Sequence, residues 1–263
     1  MRRLLAAVIA IVAWASPEVA GAGNFQVICR FSHSLPDDPI VFPNVAGASH
    51  LHAFLGNTST DAASTYQEMV GASTTCGESS DTAGYWVPAV IVTSSVVDPI
   101  KVNAYYAHGQ GVDPGGVVAS PADLRVVAGG DTTSTMRPKA ASWSCQGGKR
   151  GALPKDCSNG KKVRAHVKFP NCWNGTDLDS PNHRSHMAYS SKASGCPASH
   201  PVPVPALTIV VVYPISNGGS ITLSSGSPTT LHGDFWNTWD QAALVGFTIS
   251  CIRVSGGCGV VTD

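Results

Sequence analysis

An excess of charge of either sign is missing from this chain: 17 lysines and arginines stand against 17 aspartates and glutamates. With no basic surplus and no run of like charges, it is not built to gather nucleic acid or an anionic lipid surface. Glutamate is scarce, with only Glu68 and Glu78 beyond residue 22. A paired-carboxylate glycosidase would therefore have to use aspartates such as Asp81, Asp179 or Asp234. The G-x-S-x-G elbow of serine hydrolases is absent, and so is any glycine loop spaced to cradle phosphate. No C-x-x-C pair occurs, which disfavours a structural zinc site built on cysteine. Beyond the first residues no apolar run approaches the roughly 20 residues of a membrane span.

The first residues have a pattern of their own. Arg2 and Arg3 precede the apolar stretch Leu4–Ala15, and Ala20-Gly21-Ala22 offers a small-residue cleavage site. That is the layout of a secretory leader. Residues 1–22 are therefore expected to be removed, leaving 23–263 as one secreted, extracellular β-rich domain, expected to be a monomer. All eight cysteines lie after the leader: Cys29, Cys76, Cys145, Cys157, Cys172, Cys196, Cys251 and Cys258. An even number in an exported chain implies disulfides and leaves no thiol nucleophile. Pairing sequence neighbours gives Cys145–Cys157, Cys172–Cys196 and Cys251–Cys258, with Cys29–Cys76 as the remainder. Asn57 and Asn174 head glycosylation sequons.

Short β-branched runs between glycine and proline predict strands at Tyr85–Val92, Val102–His108, Leu124–Gly130, Val163–Phe169, Leu207–Pro214 and Val245–Ile252. "ITLSS" and "LHGDFWN" complete the set. Helical periodicity is scarce; the best candidate is a short helix through Tyr66 and Met69, capped by Asp61. The fold class expected is mostly β: an antiparallel, sandwich-like single domain with long disulfide-pinned loops and little helix.

Three clusters carry chemistry. "ASHLHAFLGN" sets His50 and His52 two residues apart, so on an extended segment both imidazoles face one side. "DLDSPNHRSHMAY" holds Asp179, His183 and His186, and "LHGDFWNTWD" holds His232 and Asp234, again two apart. Convergence of these segments would form either a divalent transition-metal site, with His50, His52, His186 and His232 as ligands, or a metal-free histidine–aspartate acid–base pair. His200 reads as structural and His166, on the polar side of an alternating strand, as solvent-facing. Trp143 and Trp173, beside cysteines, read as core. Tyr189, Trp236 and Trp239 are the aromatic candidates for stacking on sugar rings.

Taken together, "GASHLHAFLGN", "DTAGYWVPA", "SWSC", "FPNCWNGTDLDSPNHRSHMAY", "CPASHPVPVP" and "HGDFWNTWD" resemble a family of secreted bacterial and fungal domains of unknown function, number nineteen-ninety-six. The resemblance runs from about Val27 to Cys251. It implies an extracellular module, joined in some relatives to carbohydrate-binding or cell-wall domains, and it brings no catalytic assignment. The function expected is a carbohydrate- or cell-wall-directed hydrolase acting on extracellular polysaccharide or cell-wall glycan. The alternatives are a non-catalytic polysaccharide-binding module and an extracellular metal-binding protein.

Overall fold

In the computed structural model, residues 23–130 and 140–263 are described; the leader expected over residues 1–22 lies outside them. In chain order the strands are β1 (Asn24–Leu35), β2 (His52–Gly56), β3 (Gly84–Pro88), β4 (Val90–Val92), β5 (Ser95–Val97), β6 (Lys101–Ala107), β7 (Arg125–Gly129), β8 (Ala141–Cys145), β9 (Val163–Lys168), β10 (Cys172–Trp173), β11 (Met187–Ala188), β12 (Val202–Pro203), β13 (Ala206–Val212), β14 (Ile221–Leu223), β15 (His232–Trp236) and β16 (Gly259–Val260). Two short helices, α1 (Tyr66–Val70) and α2 (Gln241–Phe247), accompany them.

The long first strand organises the rest. Its N-terminal part pairs with β6 and its C-terminal part with β2, with a register shift between Phe31 and His33. One sheet thus runs β7-β15-β3-β2-β1-β6-β13-β9-β8, and β16 joins β1 in parallel. A bulge bends and twists a strand, and here the two halves fold over one another. Phe235 of β15 meets Phe169 across the interior at 6.1 Å between ring centroids. Gly233, beside Phe235, faces Val167 and Ile209 so closely that even a methyl group there would crowd the Ile209 side chain. The result is a mostly-β antiparallel fold, with two three-stranded sheets, β11-β10-β12 and β14-β4-β5, at its margins.

All four disulfides join the cysteines that sequence proximity pairs: Cys29–Cys76, Cys145–Cys157, Cys172–Cys196 and Cys251–Cys258. Four bridges are the chemistry of an oxidising, extracellular-type compartment. Among the described residues no helix is long and apolar enough to cross a membrane.

Several local expectations need correction. Val245–Ile252 is helical: α2 starts at Asp240, whose carboxylate caps Ala243 N at 2.8 Å, and continues in a π-turn over Thr248–Ile252. Leu244, Thr248, Cys251 and Ile252 are its buried residues, a helical spacing that the β-branched composition conceals. Helix α1 is capped by Thr65, not Asp61. Thr65 and Glu68 form a reciprocal capping box, while Asp61 accepts from Ala63 N in a separate turn. The predicted strand Tyr85–Val92 breaks at Ala89, which bonds to Leu51 and Ser224 instead. His166 is buried and bonds Ser144 Oγ at 2.8 Å, because neighbouring segments cover the face of β9 that alternation assigns to water. Burial holds its pKa down, at about 4. Asn57 is wholly buried with its amide nitrogen donating to Met69 O and Thr82 O, so it offers no glycosylation acceptor.

Candidate metal centre

The outer face of the β7-β15-β3-β2 half-sheet carries the site. Alternation on β15 turns Gly233 and Phe235 toward the interior and His232, Asp234 and Trp236 outward. On β2 the same rule sends Ala53 and Leu55 inward and His52 and Phe54 outward. Register then aligns them: Phe54 pairs with Trp86 and Trp86 with Asp234, one row across three strands. In the neighbouring row His52 pairs with Pro88, and the β3–β15 register continued by two residues puts His232 across from Pro88. Below the centre, Ile40, Phe54, Met69, Trp86, Val127 and Trp236 form a small apolar cluster that supports this face.

His50 arrives from the segment just before β2. Its Nε2 lies 3.2 Å from His232 Nε2, which is in turn 3.3 Å from His52 Nε2. The other nitrogens of two rings are already committed. His52 Nδ1 donates to Asp37 O at 2.9 Å, and His232 Nδ1 donates to Thr230 O at 2.8 Å. A carbonyl oxygen can only accept, so in both rings the single proton of the neutral form sits on Nδ1. Their Nε2 lone pairs therefore face one another with no hydrogen between them.

Burial keeps these rings neutral. His232 is held down at about 4, chiefly by burial, against the opposing bond to Thr230. His52 lies well below the ordinary histidine value through burial and then the fields of His232 and His50, and burial also lowers His50.

Two carboxyl groups complete the surroundings. One oxygen each from Asp38 and Asp234 and one ring nitrogen of His52 lie within 4.8 Å of one another. Asp38 is fixed by the amides of Ile40 and Val41, each 3.0 Å from its Oδ1. Asp234 is wholly buried and neither of its carboxyl oxygens has a hydrogen-bond partner. Burial, reinforced by Asp38, holds its pKa well above the usual carboxylate value, while Arg184 pulls the other way. Both aspartates, with His50, His232 and Arg184, line a cavity of ≈ 390 Å³.

Of the residues singled out by sequence, the fold thus gathers His50, His52, His232 and Asp234. The Asp177–Tyr189 segment contributes differently from what its histidines imply. His186 is buried with both ring nitrogens engaged, by Ser180 Oγ at 3.0 Å and Arg125 O at 2.7 Å, which removes it from the ligand set. His183 turns back onto Asp179, its Nδ1 3.0 Å from Asp179 Oδ2, with a left-handed backbone at φ 55°. Neither lines the cavity; Arg184 does.

The tryptophan platforms are also corrected. Trp236 is 1% exposed, under the Arg125 guanidinium and donating to Asp123; Trp239 is 0% exposed and donates to Tyr106 OH at 3.1 Å. Both are core residues without a free face. Tyr189 is half-buried, lines an adjoining cavity, and donates through its hydroxyl to Lys168 O. Phe42 is the aromatic that reaches solvent beside the histidines, 41% exposed on the rim. His200 bonds Ser185 O and Ser199 Oγ in a loop, as a structural residue does.

Asp37, Asp38 and Arg184 have no signal of periodicity. "LPDDPIVFP" shows only adjacent acids in a proline turn, yet Asp37 ties that turn together through Gly47 N and Ala62 N.

Gly129 tests how tightly β7 sets His232. It pairs with His232, has φ +99°, and a Cβ there would lie 2.7 Å from His232 Cα and Leu231 O. Gly129→Ala is expected to cost about 1–3 kcal/mol of strain and to displace His232. Thermal melts and zinc titration of the variant should both register the change.

Comparison with curated proteins and with solved structures finds no match. Residues 38–239, which include every cavity residue named above, match the model of a family described as "Domain of unknown function (DUF1996)", and the chain belongs to that family.

Proposed function

We propose that this protein is a secreted, zinc-class metal-dependent hydrolase of extracellular polysaccharide, with His50, His52 and His232 as the ligands. The observation that carries this reading is the convergence of three imidazole Nε2 atoms, with His232 3.2 Å from His50 and 3.3 Å from His52 and the His52–His232 pair facing each other without a proton. Nitrogens held about 2.0–2.1 Å from a tetrahedral zinc ion lie about 3.3 Å apart. Neutral lone pairs at that separation repel unless a cation lies between them. The backbone carbonyls behind His52 and His232 act as the outer partners that fix tautomer and ring orientation.

Three protein ligands leave a coordination position open, as catalytic rather than structural zinc sites do. An ion held there supplies Lewis-acid activation of water. Asp234, whose pKa burial raises, lines the same cavity, and Asp38 stands beside it as a second carboxyl group. That combination suits general acid–base assistance to a leaving alkoxide. Phe42 on the rim offers an apolar ring face to a sugar, the role that Trp236 and Trp239 cannot take.

Zinc-loaded and chelator-treated protein should be incubated with a panel of polysaccharides and released reducing ends measured. Product release that stops on chelation and returns with zinc is the expected result. Full zinc occupancy with no product from any glycan would favour the second reading that the histidine triad supports, an extracellular metal-holding protein without turnover.

A further inference from the structure

Arg184 brings a guanidinium to the cavity wall. The described ion pairs are Arg125–Asp123 and His183–Asp179; Arg184 belongs to neither. Only its Nη1 is engaged, by Val127 O and Gly129 O, each at a long 3.4 Å. Among the described residues the other nitrogens of its planar fork have no acceptor. A guanidinium left this way is placed to take two oxygens of a carboxylate, sulfate or phosphate ester side by side.

Its position matters as much as its bonding. Arg184 and Val127 form the wall common to the ≈ 390 Å³ cavity of the histidine centre and an adjoining one of ≈ 520 Å³ lined by Asn182, Ser185, Met187 and Tyr189. The guanidinium is close enough to the centre for its charge to act on both His232 and Asp234. A chain lying across both cavities would pass over it.

We propose that Arg184 is an oxyanion anchor and that the glycan this site takes is acidic, with a charged group seated on the ridge between the two cavities. This specificity rests on the metal-hydrolase reading above for its catalytic meaning, but the binding itself is separable. The chain has a formal net charge of zero, so a preference for acidic polymer has to come from a local group and not from bulk attraction.

The test is affinity electrophoresis of zinc-loaded protein through polygalacturonate, dextran sulfate, a phosphomannan and neutral dextran, with zinc content measured on the same samples. At least one acidic polymer should retain the wild type at least tenfold more strongly than dextran, and which one identifies the oxyanion as carboxylate, sulfate or phosphate. Arg184→Gln should lose that preference with zinc content unchanged. Arg184→Lys should recover only part of it, because an ammonium lacks the fork. Arg150→Gln, at an exposed arginine, should behave as wild type. Equal retention by acidic and neutral polymers, or a preference that survives Arg184→Gln, overturns the proposal whatever the zinc content. Absence of zinc from a correctly folded protein overturns the metal reading alone.

Discussion

Replacing His232 with alanine is expected to lower zinc affinity by well over the roughly 100-fold that removing an outer-shell partner costs. The reason is geometric. His232 Nε2 is the shared vertex, 3.2 Å from His50 and 3.3 Å from His52, so its loss takes away the nitrogen that both others face. The side chain is only partly buried and the strand pairing of β15 does not depend on it, so the variant should fold. His183→Ala and His186→Ala are the informative controls. Both residues belong to a histidine cluster that sequence alone makes equally attractive, yet their ring nitrogens serve Asp179, Ser180 and Arg125. Calorimetric zinc titration should show near-wild-type affinity for these two and loss for His232→Ala. Equal losses across all three would mean that the ligand set is wrong.

The second large effect concerns stability and is independent of any metal. Asp81 is wholly buried between the amide of Ala83 and the hydroxyl of Tyr85, which in turn contacts Tyr106 OH. Burial pushes its pKa up to about 8, against those hydrogen bonds. An unfolded aspartate titrates near 3.9. Between about pH 4 and pH 8 the folded protein therefore holds a proton that the unfolded chain does not. Stability from this group is full below pH 4 and falls as pH rises, by about 1.4 kcal/mol per pH unit.

His166 acts in the opposite sense over a lower window. Held at about 4 in the fold against an ordinary 6.5, it makes stability fall as pH drops from 6.5 toward 4. Above pH 6.5 that contribution is flat. Asp234, also raised by burial, adds a slope of the same sign as Asp81, so the comparison has to be between proteins. Urea unfolding at pH 6.5 and 8, with a chelator present, should show a wild-type loss that exceeds that of Asp81→Asn by about 2 kcal/mol. Asparagine keeps an acceptor for Ala83 N and carries no charge. Identical pH slopes in the two proteins would show that Asp81 ionises normally.

What the sequence made legible follows from periodicity. His50 and His52, and His232 and Asp234, are spaced by two on extended segments, and that spacing survives folding because the pleat turns alternate residues to one face. Three disulfides were legible because their partners lie 7, 12 and 24 residues apart, and Cys29–Cys76, 47 apart, was what remained. Arg184 and Asp38 were not, since loops have no period and their side-chain directions are set by turns such as the one Asp37 ties to Gly47 and Ala62. The tryptophans misled for another reason. Nearness to polar motifs says nothing about exposure, and on β15 the face that carries His232 and Asp234 at one end is covered at the other, where Trp236 packs with Phe54, Met69 and Trp86. Over Val245–Ile252, valine and isoleucine suggest a strand although Asp240 followed by Gln-Ala-Ala-Leu is a helix start.

X-ray absorption at the zinc edge of the purified, zinc-loaded protein is the direct test of a three-histidine zinc centre. One zinc per chain is expected, with three imidazole nitrogens at about 2.0–2.1 Å and one further light-atom ligand, the imidazole count falling to two or the ion being lost in His232→Ala. A folded protein that takes up no zinc, or whose bound zinc shows fewer than three imidazoles in the wild type, would contradict it.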